Sequence, residues 1–164
     1  MELERDLKWF GADAVHRPET DPTGYFTTID IVRIFPAIKM ETMQDWIKRK
    51  FFLPLFTTEI GLGDKKWFNR SQVCMIGLFK KLVDLGIRRN IARVNVRAFH
   101  NLRLEFYEKN NREPDFLIIE LEQKNISSMT VDIGGFEIKR QKDASDITII
   151  NFSRILSRID SYSK

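Results

Sequence analysis

The side chains with intrinsic chemistry are few, and their spacing does not suit catalysis. Cys74 is the only cysteine in the 164 residues, and His16 and His100 are the only histidines. That set is too small for a zinc site and leaves no internal disulfide, in keeping with a reducing compartment. Aspartates and glutamates are scattered without a nucleophile–base pairing that sequence can support. Gly61-Leu62-Gly63 lacks the strand and helix N-terminus that a phosphate-cradling glycine loop requires. No enzyme activity, cofactor or metal is expected. What remains is charge. Residues 1–24 carry 3 basic and 6 acidic side chains, residues 25–110 carry 16 and 8, and residues 111–164 carry 8 and 9. The net +4 of the chain is therefore concentrated in its middle. Such an excess attracts a polyanion and speeds encounter with it, although a solvated surface can have the same composition.

The elements that must position these charges can be read from periodicity. Apolar residues make up 43% of the chain, enough for a packed core, and no apolar run approaches the roughly 18 residues that span a bilayer. The charged start MELERDLKWF has no signal-peptide stretch, so a soluble, cytoplasmic protein is expected. Residues 1–24 read as a tail and linker, with Pro18, Asp21, Pro22, Thr23 and Gly24 as turn formers. Thr27 or Thr28 suits an N-cap and Asp30 a first turn, so a short helix with Ile31, Ile34 and Phe35 on its apolar face is expected, stopped by Pro36. A second helix follows from about Lys39 to Lys50, with Met43, Trp46 and Ile47 on one side. The stretch from Leu55 to Phe68 reads as a β-hairpin around Gly61-Leu62-Gly63-Asp64. Asn69 and Gln72 form a capping-box pattern for a helix from about Arg70 to Leu85, and Gly86 is a natural stop. A long helix from about Arg88 to Asn110 carries a sparse stripe of Ile91, Val94, Ala98, Leu102 and Phe106. After Asn110, Asn111 and Pro114, short β-type segments appear (FLIIELE, SMTVDI, FEIKRQ and DITIINF), with a Gly134-Gly135 turn. A closing helix carries Ile155, Leu156 and Ile159.

Two short helices, a hairpin and a third helix, in that order, form the string of a winged helix-turn-helix, although protein-interaction modules use the same string. The segment resembles the start of MerR-family DNA-binding domains over about 70 residues. The resemblance is carried by Tyr25, Thr28, the turn pair Ala37-Ile38, Thr42-Met43, the exit Phe52-Leu53-Pro54, Phe68-Asn69 and FKKLVDLGI closing on Gly86. Gln44, Asp45 and Trp46 stand where that family has one basic and two aromatic residues, Glu41 where a basic residue is common, and Lys50 where glycine is usual.

The expectation is an α+β protein. Residues 25–110 would form a MerR-like winged helix-turn-helix with an extended helix, and residues 111–164 a small β-rich dimerisation or partner-docking module. The resemblance implies a bacterial, nucleoid-associated regulator that binds double-stranded DNA as a homodimer, away from membranes. The second helix would lie in the major groove and the hairpin on the backbone. Thr28, Lys39, Lys48, Arg49, Lys65 and Lys66 are candidate backbone contacts, and Thr42 and Gln44 lie on the reading helix. Gln44 has the chemistry to read adenine, and Arg88 and Arg89 are the members of the later arginine run best placed to reach DNA. The alternative is a protein-interaction adaptor on the same fold. The second module is small for enclosing a ligand, so a small-molecule effector is not favoured. Trp46 and Trp67 read as packing residues and Cys74 as a small buried hydrophobe. His16 and His100 are assigned no role.

Overall fold

The computed structural model describes residues 24–60, 63–123, 125–132 and 146–162. Among these are six strands and five helices, in two small antiparallel sheets, so the chain is of the α+β class. It divides into two compact units, the first ending at Gly77 and the second running from Leu78 to Ser163. No helix among the described residues is long and apolar enough to cross a membrane.

The first unit opens with strand β1 (Tyr25–Thr27), which runs directly into helix α1 (Thr28–Ile34). The N-cap is Thr27. Its Oγ1 accepts from the Asp30 amide at 3.3 Å, and its own amide donates to Asp30 Oδ2 at 2.7 Å, a reciprocal capping box. Phe35, pushed out of the helical region by the following Pro36, is the C-cap, and its amide donates to the Ile31 carbonyl at 2.9 Å. The Ile38 amide donates to the Phe35 carbonyl at 2.8 Å, and the side chain of Ile38 is fully buried beneath this tight turn.

Helix α2 (Met40–Lys48) buries Met43 and Trp46. It ends in a Schellman motif: the Phe51 amide donates to the Trp46 carbonyl at 2.9 Å and the Lys50 amide to the Ile47 carbonyl at 3.0 Å. Lys50 is thereby held at φ +57°, the left-handed region that glycine fills most cheaply.

The hairpin of β2 (Phe56–Ile60) and β3 (Gly63–Asn69) pairs Phe56 with Trp67, Thr57 with Lys66 and Thr58 with Lys65. Strand β1 adds to its other edge, pairing Phe26 with Phe68, so the sheet order is β1-β3-β2. A three-stranded sheet was not expected, because three residues before a helix cap give no period-2 signal. Phe26 and Phe68 are buried on one face. Tyr25, Phe56 and Trp67 gather on the other, with the Tyr25 and Phe56 rings edge-on at 5.3 Å and the Phe56 and Trp67 rings stacked at 6.0 Å.

Helix α3 (Arg70–Asp84) starts as its capping box foretold. The Asn69 amide donates to Gln72 Oε1 at 3.0 Å, and the Gln72 amide donates to Asn69 Oδ1 at 2.8 Å. The buried Gln72 also donates from Nε2 to the Leu53 carbonyl at 2.8 Å, which ties the exit of α2 to the start of α3. The helix closes at Gly86, φ +85°. Cys74 is a buried thiol, as expected.

In the second unit, helix α4 (Arg89–Asn110) packs against a sheet of order β5-β4-β6, made from β4 (Phe116–Glu122), β5 (Asn125–Asp132) and β6 (Asp146–Asn151). Helix α5 (Phe152–Asp160) follows. The buried face of α4 is Ala92, Val96, Phe99, His100 and Arg103. The expected stripe lies elsewhere: Val94 is 66% exposed, Ala98 is exposed, and Ile91, Leu102 and Phe106 are only half-buried. One member of the buried face, Arg103, is there through an ion pair. Arg103 Nε donates to Glu113 Oε2 at 2.7 Å, with a second contact between Nη2 and Oε1, and its guanidinium lies 5.9 Å from the centre of the Phe152 ring. A neutralised arginine thus occupies a position that an apolar count passes over. Ile155, Leu156 and Ile159 are buried as expected, together with Phe152. The expected FEIKRQ strand, the Gly134-Gly135 turn and the tail up to residue 23 lie outside the described residues.

Candidate functional site

The first unit carries a cleft of about 540 Å³ where the start of α1, one side of α2 and strand β3 converge. It is lined by Thr27, Thr28, Ile29, Met40, Gln44, Ile47, Lys48, Asp64, Lys65 and Lys66. Each wall follows from the local folding. The capping box engages the Thr27 hydroxyl with Asp30, leaving Thr28 as the hydroxyl on the cleft wall with no capping duty. On α2, burial of Met43 and Trp46 turns Gln44, Ile47 and Lys48 toward the cleft. On β3, pairing with β2 fixes Lys65 and Lys66 beside each other along the strand.

The cleft therefore has an apolar lining from Ile29, Met40 and Ile47, and three lysines against one carboxylate, Asp64. Ile29 is 52% exposed and supplies apolar surface to the cleft wall. Lys65 Nζ lies 4.6 Å from the centre of the Trp67 ring, and Trp67 Nε1 donates to Thr58 Oγ1 at 2.9 Å. These contacts tie Lys65 and Thr58 to the Trp67 ring on the hairpin. The cleft thus joins an apolar lining to a cationic rim, which attracts an anionic ligand.

The structure brings five of the sequence-derived candidates into this one cleft: Thr28, Gln44, Lys48, Lys65 and Lys66. The others are not among its lining. Lys39 is the exposed N-cap of α2, and Thr42 is half-buried within that helix. Arg49, the C-cap, is 60% exposed and donates from Nε to both Asp45 oxygens, at 2.8 and 2.9 Å. Arg88 and Arg89 are exposed and belong to the second unit. Ile29, Met40 and Ile47 are site residues that sequence reasoning missed. The one available signal was Ile29, which falls outside the 31/34/35 apolar face.

A second chemical singularity, in the other unit, also went unassigned. His100 is 3% exposed, and burial drives its imidazole down from 6.5 to about 4. The Arg103 guanidinium adds to that depression, and the Glu113 carboxylate opposes it. It is neutral at physiological pH, a core residue rather than a surface cation. No protein-family model matches the chain, and no curated protein matches it, so the functional reading rests on the geometry of the cleft and its surroundings.

Proposed function

We propose that the first unit is a winged helix-turn-helix of the MerR type, that it binds duplex DNA, and that the protein is a transcription regulator. In this reading α1 and α2 are the helix-turn-helix, β2 and β3 are the wing, and α2 enters the major groove. The observation that carries the proposal is the convergence of Lys48, Lys65, Lys66, Gln44 and Thr28 on one cleft between the reading helix and the wing. A sugar–phosphate strand fits such a cleft: its phosphates meet the lysines and Thr28, and its sugars meet Ile29 and Ile47. Lys39, at the start of α2, adds a cation where helix amides already favour an anion. The proposal includes a homodimer, supported by the exposure of Val94, Leu104 and Tyr107 along α4.

The test is a gel shift with a pool of random-sequence 30-base-pair duplexes at two salt concentrations, using the full chain. Binding should weaken steeply with salt. Lys48→Ala and Lys66→Ala should each weaken it for all sequences and lower the salt slope by about 1. Unchanged affinity in both variants refutes the docking. A second reading, a protein-interaction adaptor on the same fold, is favoured by one observation: α2 exposes Glu41 and also bears Asp45, two acids that phosphates repel. It expects no duplex binding at low salt.

A further inference from the structure

We propose that Asp45 and Arg49 form a base-reading unit in which the Arg49 guanidinium donates to N7 and O6 of a guanine in the major groove. The inference rests on the duplex-DNA reading above and gives it a specificity-determining residue. Arg49 donates through Nε alone, to Asp45 Oδ1 at 2.8 Å and Oδ2 at 2.9 Å. Its Nη1 and Nη2 groups donate to nothing among the described residues, and the side chain is 60% exposed. A guanidinium is planar, so fixing Nε fixes the plane and presents the two Nη groups as a ready fork.

The pairing also corrects the position of Arg49. As the C-cap of α2, an arginine in a free rotamer reaches past the end of the helix. By closing on Asp45, four residues earlier, it lies back along the exposed side of the last turn. There the fork meets whatever the middle of α2 meets. Guanine is the base that answers such a fork, because its major-groove edge offers two adjacent acceptors, whereas adenine places a donor beside N7.

Charge leads to the same place. An unpaired Asp45 on a DNA-facing helix is repelled by phosphates, and an unpaired Arg49 is drawn to them indiscriminately. Paired, the two carry no net charge, so the unit contributes little to backbone affinity and keeps its hydrogen-bonding direction. An exposed pair of this spacing also contributes little to folding stability. Variants of either residue therefore leave the fold intact, which intrinsic fluorescence from Trp46 and Trp67 in urea titrations can verify.

The experiment is selection of bound duplexes from a randomised pool, followed by sequencing, with the full-length protein and its Arg49→Ala, Arg49→Lys and Asp45→Ala variants. The unaltered protein should fix a guanine at one position of each bound site. In Arg49→Ala the preference for that guanine should fall by about 10- to 100-fold while the rest of the motif persists. Arg49→Lys should retain part of it, and Asp45→Ala should loosen it without weakening overall binding. The same motif from Arg49→Ala overturns the proposal. So does an equal loss of binding to every sequence, the outcome if Arg49 grips a phosphate. A pool that the unaltered protein does not enrich refutes the DNA reading itself, and the proposal with it.

Discussion

The depressed imidazole of His100 makes the second unit acid-sensitive in a defined pH window. The native group titrates at about 4 and the unfolded group at 6.5. Between these values the unfolded chain holds a proton that the native chain refuses, so stability is full above 6.5 and is lost as pH falls toward 4. A difference of ~2.5 pH units, at ~1.4 kcal/mol per unit, bounds the loss at about 3 kcal/mol. At pH 5 the unfolded imidazole is almost wholly charged and the native one almost wholly neutral, and the loss should already be about 2 kcal/mol. That is a large share of the stability of a small domain.

Two measurements check this, and they are independent. An NMR titration of the His100 ring protons in the full chain should show a midpoint near 4. Urea titrations at pH 7 and pH 5, read on resonances of α4, should differ by about 2 kcal/mol. In His100→Gln that difference should largely vanish, leaving only what His16 and the carboxylates contribute. Glu113→Gln removes the group that opposes the depression, so the midpoint should move further down. An imidazole midpoint at or above 6, or a pH 7-to-5 loss untouched by His100→Gln, refutes the reasoning.

Two further substitutions in the first unit follow from its backbone and hydrogen bonds, and tryptophan fluorescence in urea reads both. Lys50→Gly should raise stability by about 1 kcal/mol, because the left-handed C-terminal position of the α2 Schellman motif currently holds a side chain; an unchanged or lower midpoint counts against it. Gln72→Glu should cost about 2 kcal/mol or more, even though a capping box accepts either residue, because the buried Leu53 carbonyl would lose its donor and face a carboxylate oxygen. Stability equal to the unaltered protein's would show that the cap alone matters there.

Local rules sufficed wherever the chain closes its own hydrogen bonds. The Thr27 cap with Asp30 in its first turn, the Asn69–Gln72 box, the Pro36 stop and the Gly86 stop involve residues two to five apart, and each stands within a residue or two of its expected place. Failure came where a partner is distant. Strand β1 exists because β3 offers an open edge, a fact located some forty residues downstream. Arg103 was missed on the buried face of α4 because it belongs to the core only once Glu113 has neutralised it. The candidate lysines were legible as a basic excess, but their gathering was not. Whether Lys65 and Lys66 stand beside Gln44 and Lys48 depends on how the hairpin meets the helices, which no spacing rule supplies.

The two acids of α2, which phosphates repel, become informative once their positions are set against the dimensions of a duplex. The helix has 9 residues, or about 13.5 Å at 1.5 Å per residue, close to the ~12 Å width of the major groove. Lys39 precedes it, Lys48 stands at its last residue and Lys50 follows, while Glu41 lies in its first turn and Asp45 further along, paired with Arg49. A helix laid across that groove meets phosphates at its two ends and base edges along its middle. Cations at the ends and hydrogen-bonding groups between them are what that placement needs. A carboxylate turned to the base edges faces cytosine amino groups, which donate to it, rather than phosphates, which repel it. Asp45 is paired with Arg49, so in the proposed reading Glu41 is the acid of α2 that would carry its charge into the groove. The proposed reading therefore requires Glu41→Gln to strengthen binding to random duplexes while relaxing the sequence choice opposite the first turn of α2. The adaptor reading gives no reason for duplex affinity to respond to that change at all.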